Sequence, residues 1–198
     1  MSIQLSIALS QYIGKTLTLE DAKAIAKAVS ATPDRSHDPR QFEPATYQRL
    51  TFQVERFADI EEEIHPLHVA HYAETEAYRA GVPMNPDYAH FRRCERDGGL
   101  LQFTARAQGE LVGNIRMYLF NNLHTQTLSA KEDTFFMTPA VRKGFSAIRF
   151  WQYMERCLQQ IGVQEITTDS KLVNQVGRLN TYLGYTHVAN VFHKFLRS

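Results

Sequence analysis

Over residues 133–168 the hydrophobic period changes twice, and nothing else in the chain narrows its fold as much. "DTFFM" (133–137) is a short β-prone run. From Phe145 to Ile161 the apolar positions Ile148, Trp151, Met154, Leu158 and Ile161 recur every three or four residues, which predicts an amphipathic helix closed by Gly162. "VQEITT" (163–168) then returns to a strand. A helix between two strands has to bury its apolar stripe against a sheet, so the chain predicts an α/β protein.

The remaining elements extend this pattern. "TLEDAKAIAKAVSA" has the spacing of an N-terminal helix, with Thr18 and Asp21 approximating a capping box. "TPDRSHDPRQFEP" (32–44) reads as a linker, which divides the chain into an extension (1–45) and a main domain (46–198). Within that domain "YQRLTFQVERF" predicts a strand, and "ADIEEEIHPLHVAHYAETEAY" a helix broken or restarted at Pro66. A second helix is expected over Asp87–Arg96, and "LLQFTARAQ" and "LVGNIRMYLF" form a hairpin around Gly109 and Glu110. "NQVGRLNTYLG" predicts a short helix ending at Gly184, and "THVANVFHKFL" a last strand. The sum is a mixed sheet with helices on its faces.

Composition excludes several functions. With 198 residues, 43% hydrophobic and 22% charged, the chain can bury its own core. A net charge of +1 gives no bias toward nucleic acid or an anionic membrane, and "HFRRCERDGG" is diluted by acids. Cys94 and Cys157 are the only cysteines, too few for a disulfide framework and consistent with the cytoplasm. The start "MSIQLSIALSQYIG" lacks a basic leader, and no run reaches the roughly 18 apolar residues that cross a bilayer.

A helix start after a strand offers unpaired N–H groups and the positive end of the macrodipole to phosphate. Here Arg142 and Lys143 add charge to that turn. The stretch "MTPAVRKGFSA" resembles the acyl-CoA loop of the GNAT-superfamily N-acetyltransferases, V-x-P-x-x-R/Q-x-x-G-x-G/A, with Met137, Pro139, Arg142 and Ala147 in register. Phe145 stands where the first glycine is expected, and a glycine comes one residue earlier, at Gly144. If the turn needs a positive φ, Gly144 has to supply it, since Phe would be strained there. "GELVGNI", "ERCLQQIGVQEI" and "RLNTYLGYTHVANVFHKFL" are similar to the flanking elements, so the resemblance spans about residues 46–197. "LH", "AKED" and "RKG" are similar to short members from bacteriophage and prophage genomes.

The resemblance implies a GNAT fold, a mostly antiparallel sheet flanked by helices. It further implies acetyl transfer from acetyl-CoA to a primary amine, small molecule or protein, by direct attack without an acyl-enzyme. The loop from Arg142 through Lys143, Gly144, Phe145 and Ser146 to Ala147 would hold the cofactor diphosphate. Met137 would lend a backbone amide to the oxyanion, and Asn174 would contact the pantetheine arm. Asp133 or Glu132 is the expected general base, and alternation sends their side chains to opposite faces; His124 is a further candidate because imidazole titrates near neutrality. The tyrosine acid of many relatives is replaced by Asn180, and Tyr182 lies about 200° around the helix from it. Tyr182, another group or water would then protonate the thiolate. His65, His68 and His71 lack the acidic partner spacing of a metal site and are expected to shape the acceptor side. A binding module without turnover, a nucleic-acid modifying enzyme of the same fold, and a homodimer built through the terminal strand are the remaining expectations.

Overall fold

The computed structural model describes residues 9–10, 12–30, 34–79, 81–174, 176–194 and 196. The chain divides into two compact units, Met1–Arg35 and Ser36–Ser198. In the first, helix α1 (Leu19–Ser30) carries the expected cap: Thr18 N donates to Asp21 Oδ2 at 2.9 Å, and Asp21 N donates to Thr18 Oγ1 at 3.1 Å. Most of the reading of residues 1–14 as a non-leader lies outside the described residues.

The second unit begins ten residues before the expected boundary at 45, and packing explains the difference. Asp38 caps a 3-10 turn at Pro39–Gln41, Phe42 is buried in the core, and Gln160 Nε2 donates to the Gln41 carbonyl at 2.8 Å. The proline-rich stretch looks like a linker in composition but is anchored by its one aromatic residue.

Six strands form a single sheet in chain order: β1 (Ala45–Tyr47), β2 (Leu50–Glu55), β3 (Leu100–Ala107), β4 (Glu110–Asn121), β5 (Leu128–Met137) and β6 (Glu165–Thr167). All neighbours are antiparallel except β5 and β6, which run parallel. The segment read as one strand from Tyr47 is a hairpin, because Gln48 takes a φ of 55° and reverses the chain. The β3–β4 hairpin turns as expected, through Gln108 (φ 51°) and Gly109 (φ 89°).

Helices cover both faces. Helix α4 (Ser146–Gln160) buries Phe150, Trp151, Met154 and Leu158 against Phe52, Phe103, Ile115 and Met117. On the other face α2 (Phe57–Thr75) buries Phe57, Ile60, Ile64 and Leu67 against Leu100, Leu111 and Phe136. Pro66 does not break α2; it lies on the exposed side, as does Glu62, whose carbonyl loses its i+4 donor there. Glu95 of α3 (Tyr88–Arg96) accepts from Phe57 N at 2.5 Å and Ala58 N at 3.2 Å, capping α2 from outside that helix. Helix α5 (Val176–Tyr182) follows β6 and ends before Gly184, whose φ is 88°. The expected strand at 186–196 is not formed among the described residues: Val188, Val191 and Phe192 are exposed, and Phe195 lies outside them. The terminal strand on which the homodimer expectation rested is thus not formed among the described residues.

Candidate active site

The parallel ladder between β5 and β6 covers only Ser129 to Lys131, whereas β5 stays paired with β4 as far as Met137. Residues 132–137 therefore have one edge on which no described strand lies. Thr138 N donates to Val112 O at 2.8 Å, which makes Met137 and Gly113 a non-hydrogen-bonded pair. The N–H and C=O of Met137, and by alternation those of Phe135, therefore turn toward the open edge.

At its far end β5 leads through a 3-10 turn (Pro139–Val141) into α4. Gly144 takes the left-handed conformation, φ 59°, while Phe145 has φ −98° and sits outside the helix start with its ring in solvent. The displaced glycine thus absorbs the turn and Phe145 is unstrained. Arg149 N makes the first helical bond, to Phe145 O at 2.9 Å. The amides of Ala147 and Ile148 come before any intrahelical partner is in reach. Ser146 Oγ donates to Lys143 O at 2.7 Å and Lys143 is exposed, while Ala147 packs on the core. Arg142 is committed elsewhere: Nε donates to Met137 O at 2.6 Å, and both terminal nitrogens donate to Glu74 at 2.8 and 2.7 Å. It ties the loop to α2 instead of standing free for a phosphate.

The two carboxylates of β5 lie on opposite faces by ordinary alternation, and one extra residue there leaves Asp133 on the same face as Thr134. Arg116 pairs with Thr134 and Met117 with Glu132, so Asp133 is a bulge. Glu132 follows Met117 onto the α4 face, where Thr168 Oγ1 donates to its Oε2 at 2.8 Å across the point at which β5 and β6 part. Burial pushes its carboxyl up to about 7. Asp133 faces α2 and is paired with Arg116, whose Nε and a terminal nitrogen both reach Oδ2, at 2.8 and 2.7 Å.

Arg116 also contacts His68 Nε2 at 3.3 Å, and since arginine only donates, that nitrogen accepts. A neutral His68 then carries its proton on Nδ1 and donates to the Tyr88 hydroxyl at 2.9 Å, and Tyr88 in turn donates to His65 Nδ1 at 2.9 Å. Burial first, and the Arg116 charge second, lower the His68 pKa to about 3, so the neutral ring holds across the physiological range. These groups adjoin a pocket of about 440 Å³ lined by His68, His71, Phe91, Arg116, Asp133 and Thr134, together with Glu76, Arg79 and the turn through Pro83 and Pro86. A larger hollow of about 570 Å³ lies between β1 and α4, and β5 contributes no residue to it.

Other expected residues are not brought to this site. His124 lies in the exposed turn joining Asn121 to Leu128, the opposite end of the β4–β5 hairpin, with about 15 Å of strand between Leu128 and Asp133. Asn174 Oδ1 accepts from Val176 N at 3.2 Å and so caps α5. Tyr182 is the last residue of α5 and 66% exposed, while Asn180 is buried with an Oδ1 that meets no donor among the described residues. Arg116 and Tyr88 were missed by the sequence reading, although an arginine inside the apolar run "LVGNIRMYLF" is itself a signal, because such a charge needs a partner.

No sequence-family model matches the chain, and no curated protein matches it by sequence. Solved structures do match. A ribosomal-protein-alanine N-acetyltransferase from Brucella melitensis biovar Abortus 2308 is 15% identical, over 76% of this chain and 100% of that one, with a TM-score of 0.56. The aminoglycoside N-acetyltransferase AAC(6')-Iy, in complex with CoA, is 15% identical over 77% and 98%, with a TM-score of 0.59. A predicted acetyltransferase from Clostridium acetobutylicum, with acetyl-CoA, is 10% identical over 74% and 96%, with a TM-score of 0.55. The parted β5 and β6, the loop into α4 and the helices on both faces are one architecture: the chain has the fold of the GNAT N-acetyltransferases.

Proposed function

We propose that the chain transfers an acetyl group from acetyl-CoA to a primary amine by direct attack, with both substrates bound at once. The observation that carries this reading is the open edge of β5, with the Met137 amide at one end and the start of α4 beyond it. The residues fit a CoA thioester. Gly144 lets the backbone turn, the first amides of α4 and Lys143 suit a diphosphate, and the buried Asn180 Oδ1 needs a donor of the kind a pantetheine amide offers. Bound there, the thioester supplies an activated acyl carbon and a good leaving group.

The chain supplies the rest. The Met137 N–H holds the carbonyl oxygen as negative charge develops on it. Glu132, where the two strands part, carries a proton up to about pH 7 and can protonate the leaving sulfur, a role that exposed Tyr182 is badly placed to fill. Asp133 opens onto the pocket beneath α2, which has the size of a small-molecule site.

Calorimetric titration of acetyl-CoA into the wild type and Lys143→Glu tests the reading. Wild type is expected to bind and the variant to bind about tenfold more weakly, the scale of one charge-assisted contact. A folded wild type that does not bind overturns the proposal. Binding without thiol release in the presence of amines would favour a binding module, the alternative to which the Asn180 substitution points.

A further inference from the structure

Two groups in the pocket beneath α2 are complementary to an ammonium ion. Arg116 spends both of its carboxylate contacts on Asp133 Oδ2, so Oδ1 keeps its lone pairs, and the Asp133 side chain is 33% exposed against 5% for Arg116. The guanidinium is fixed on its other sides by His68 Nε2 at 3.3 Å and by the Phe91 ring at 3.9 Å, which holds the carboxylate in place. His71 follows His68 by three residues on the same helix and lines the same pocket, its ring 5.6 Å from that of Phe136. No hydrogen bond engages its ring nitrogens among the described residues.

The groups facing His71 are Glu74 and Glu76 from its own end of α2, Asp133 from β5, Lys171 from the segment after β6, and neutral His68. Burial lowers its pKa and Lys171 acts in the same direction, against the three carboxylates, and burial prevails. The ring is therefore neutral at pH 7, with a lone pair to use.

We propose that Asp133 and His71 form the acceptor site for a compact primary amine: Asp133 Oδ1 docks the ammonium, and a ring nitrogen of His71 removes the proton that frees its lone pair. This rests on the acetyl-transfer reading above. The ammonium gives one proton to His71, and the freed nitrogen attacks the thioester carbonyl carbon. The C–N bond forms and the C–S bond breaks, with its electron pair leaving on sulfur. The second proton lost by the nitrogen is matched by the one the sulfur gains, and His71 returns its own to water. His68, Tyr88 and His65 are positioning residues, acting on Asp133 through Arg116.

Two measurements on the full chain test this. In the first, the His71 ring is followed by NMR while benzylammonium chloride is added. The pKa of His71 is expected to fall further as the cation docks beside it, and Asp133→Asn is expected to abolish the effect. A ring that ignores benzylammonium overturns the proposal, whether or not the protein turns over acetyl-CoA. In the second, transfer at pH 7 to benzylamine, which is protonated there, is compared with transfer to methoxyamine, which is already neutral. His71→Gln is expected to lose about a hundredfold with benzylamine and little with methoxyamine, the benzylamine loss shrinking as pH rises. Equal losses with the two amines overturn the base role. His71→Asn replaces the glutamine variant should that one not fold. A folded wild type that does not bind acetyl-CoA but whose His71 responds to benzylammonium removes the acetyl-transfer reading and leaves the ammonium site standing.

Discussion

Glu132 and Asp133 are adjacent in sequence, and their different surroundings give them different chemistry. On the α4 face burial raises the Glu132 carboxyl from an ordinary 4.5 to about 7; on the α2 face Asp133 meets a guanidinium. A folded-state pKa raised above the unfolded value means that the folded protein binds the proton more tightly. The stabilisation is complete below about pH 4.5 and is lost as pH rises through about 7. Glu132→Gln, neutral at every pH and still able to accept from Thr168, should therefore gain stability relative to wild type by about 1–3 kcal/mol between pH 5 and pH 8. Urea denaturation at the two pH values measures this, and a gap that does not change with pH would show that Glu132 is not desolvated as described. That the two side chains part company was legible in the sequence, since a strand alternates its faces. What each one meets was not. Asp133 pairs with Arg116, seventeen residues away, only because a bulge shifts the register between them.

Between the element types, helices with an apolar stripe were the more legible. Helix α4 was expected from Phe145 to Ile161 and spans Ser146–Gln160, because its stripe has a single sheet to bury against. The departures have local causes. Pro66 sits inside α2 because it falls on the solvent side, and residues 45–55 fold as a hairpin because Gln48 adopts a left-handed turn that glutamine composition does not advertise. The loop before α4 is the element on which function depends, and its glycine is conformationally required. At φ 59° Gly144 has room for a Cβ, the nearest atom being Tyr47 Oη at 3.6 Å, so the constraint is backbone and not space. Gly144→Val should cost about 1–2 kcal/mol in stability from that backbone term. It should also weaken acetyl-CoA binding, because the amides beyond it shift. Phe145→Gly should leave both properties near wild type, since Phe145 is already unstrained at φ −98°. Thermal melts and calorimetry on the pair decide between this and the alternative that position 145 carries the turn, which predicts the reverse order.

At the scale of the whole molecule, chains 10–15% identical to this one share its architecture. The fold therefore depends on a pattern of buried and exposed positions that many sequences satisfy, while the loop and the pocket can diverge. That explains how Phe145 and Asn180 can stand where the resemblance implies a glycine and a tyrosine without the sheet or its flanking helices being lost. The compact unit that bears the sheet begins at Ser36, and residues 36–44 contribute Phe42 to the core and the Gln41 carbonyl to Gln160. Two truncations separate packing from composition as the guide to that boundary. Residues 36–198 should unfold in one cooperative urea transition. Residues 46–198 lack Phe42 and Ala45, the partner of Phe52 at the sheet edge, and should lose on the order of 3–5 kcal/mol, the cost of deleting a buried phenylalanine. Equal midpoints for the two would mean that Phe42 covers the core without stabilising it, and that the linker reading drawn from three prolines was right after all.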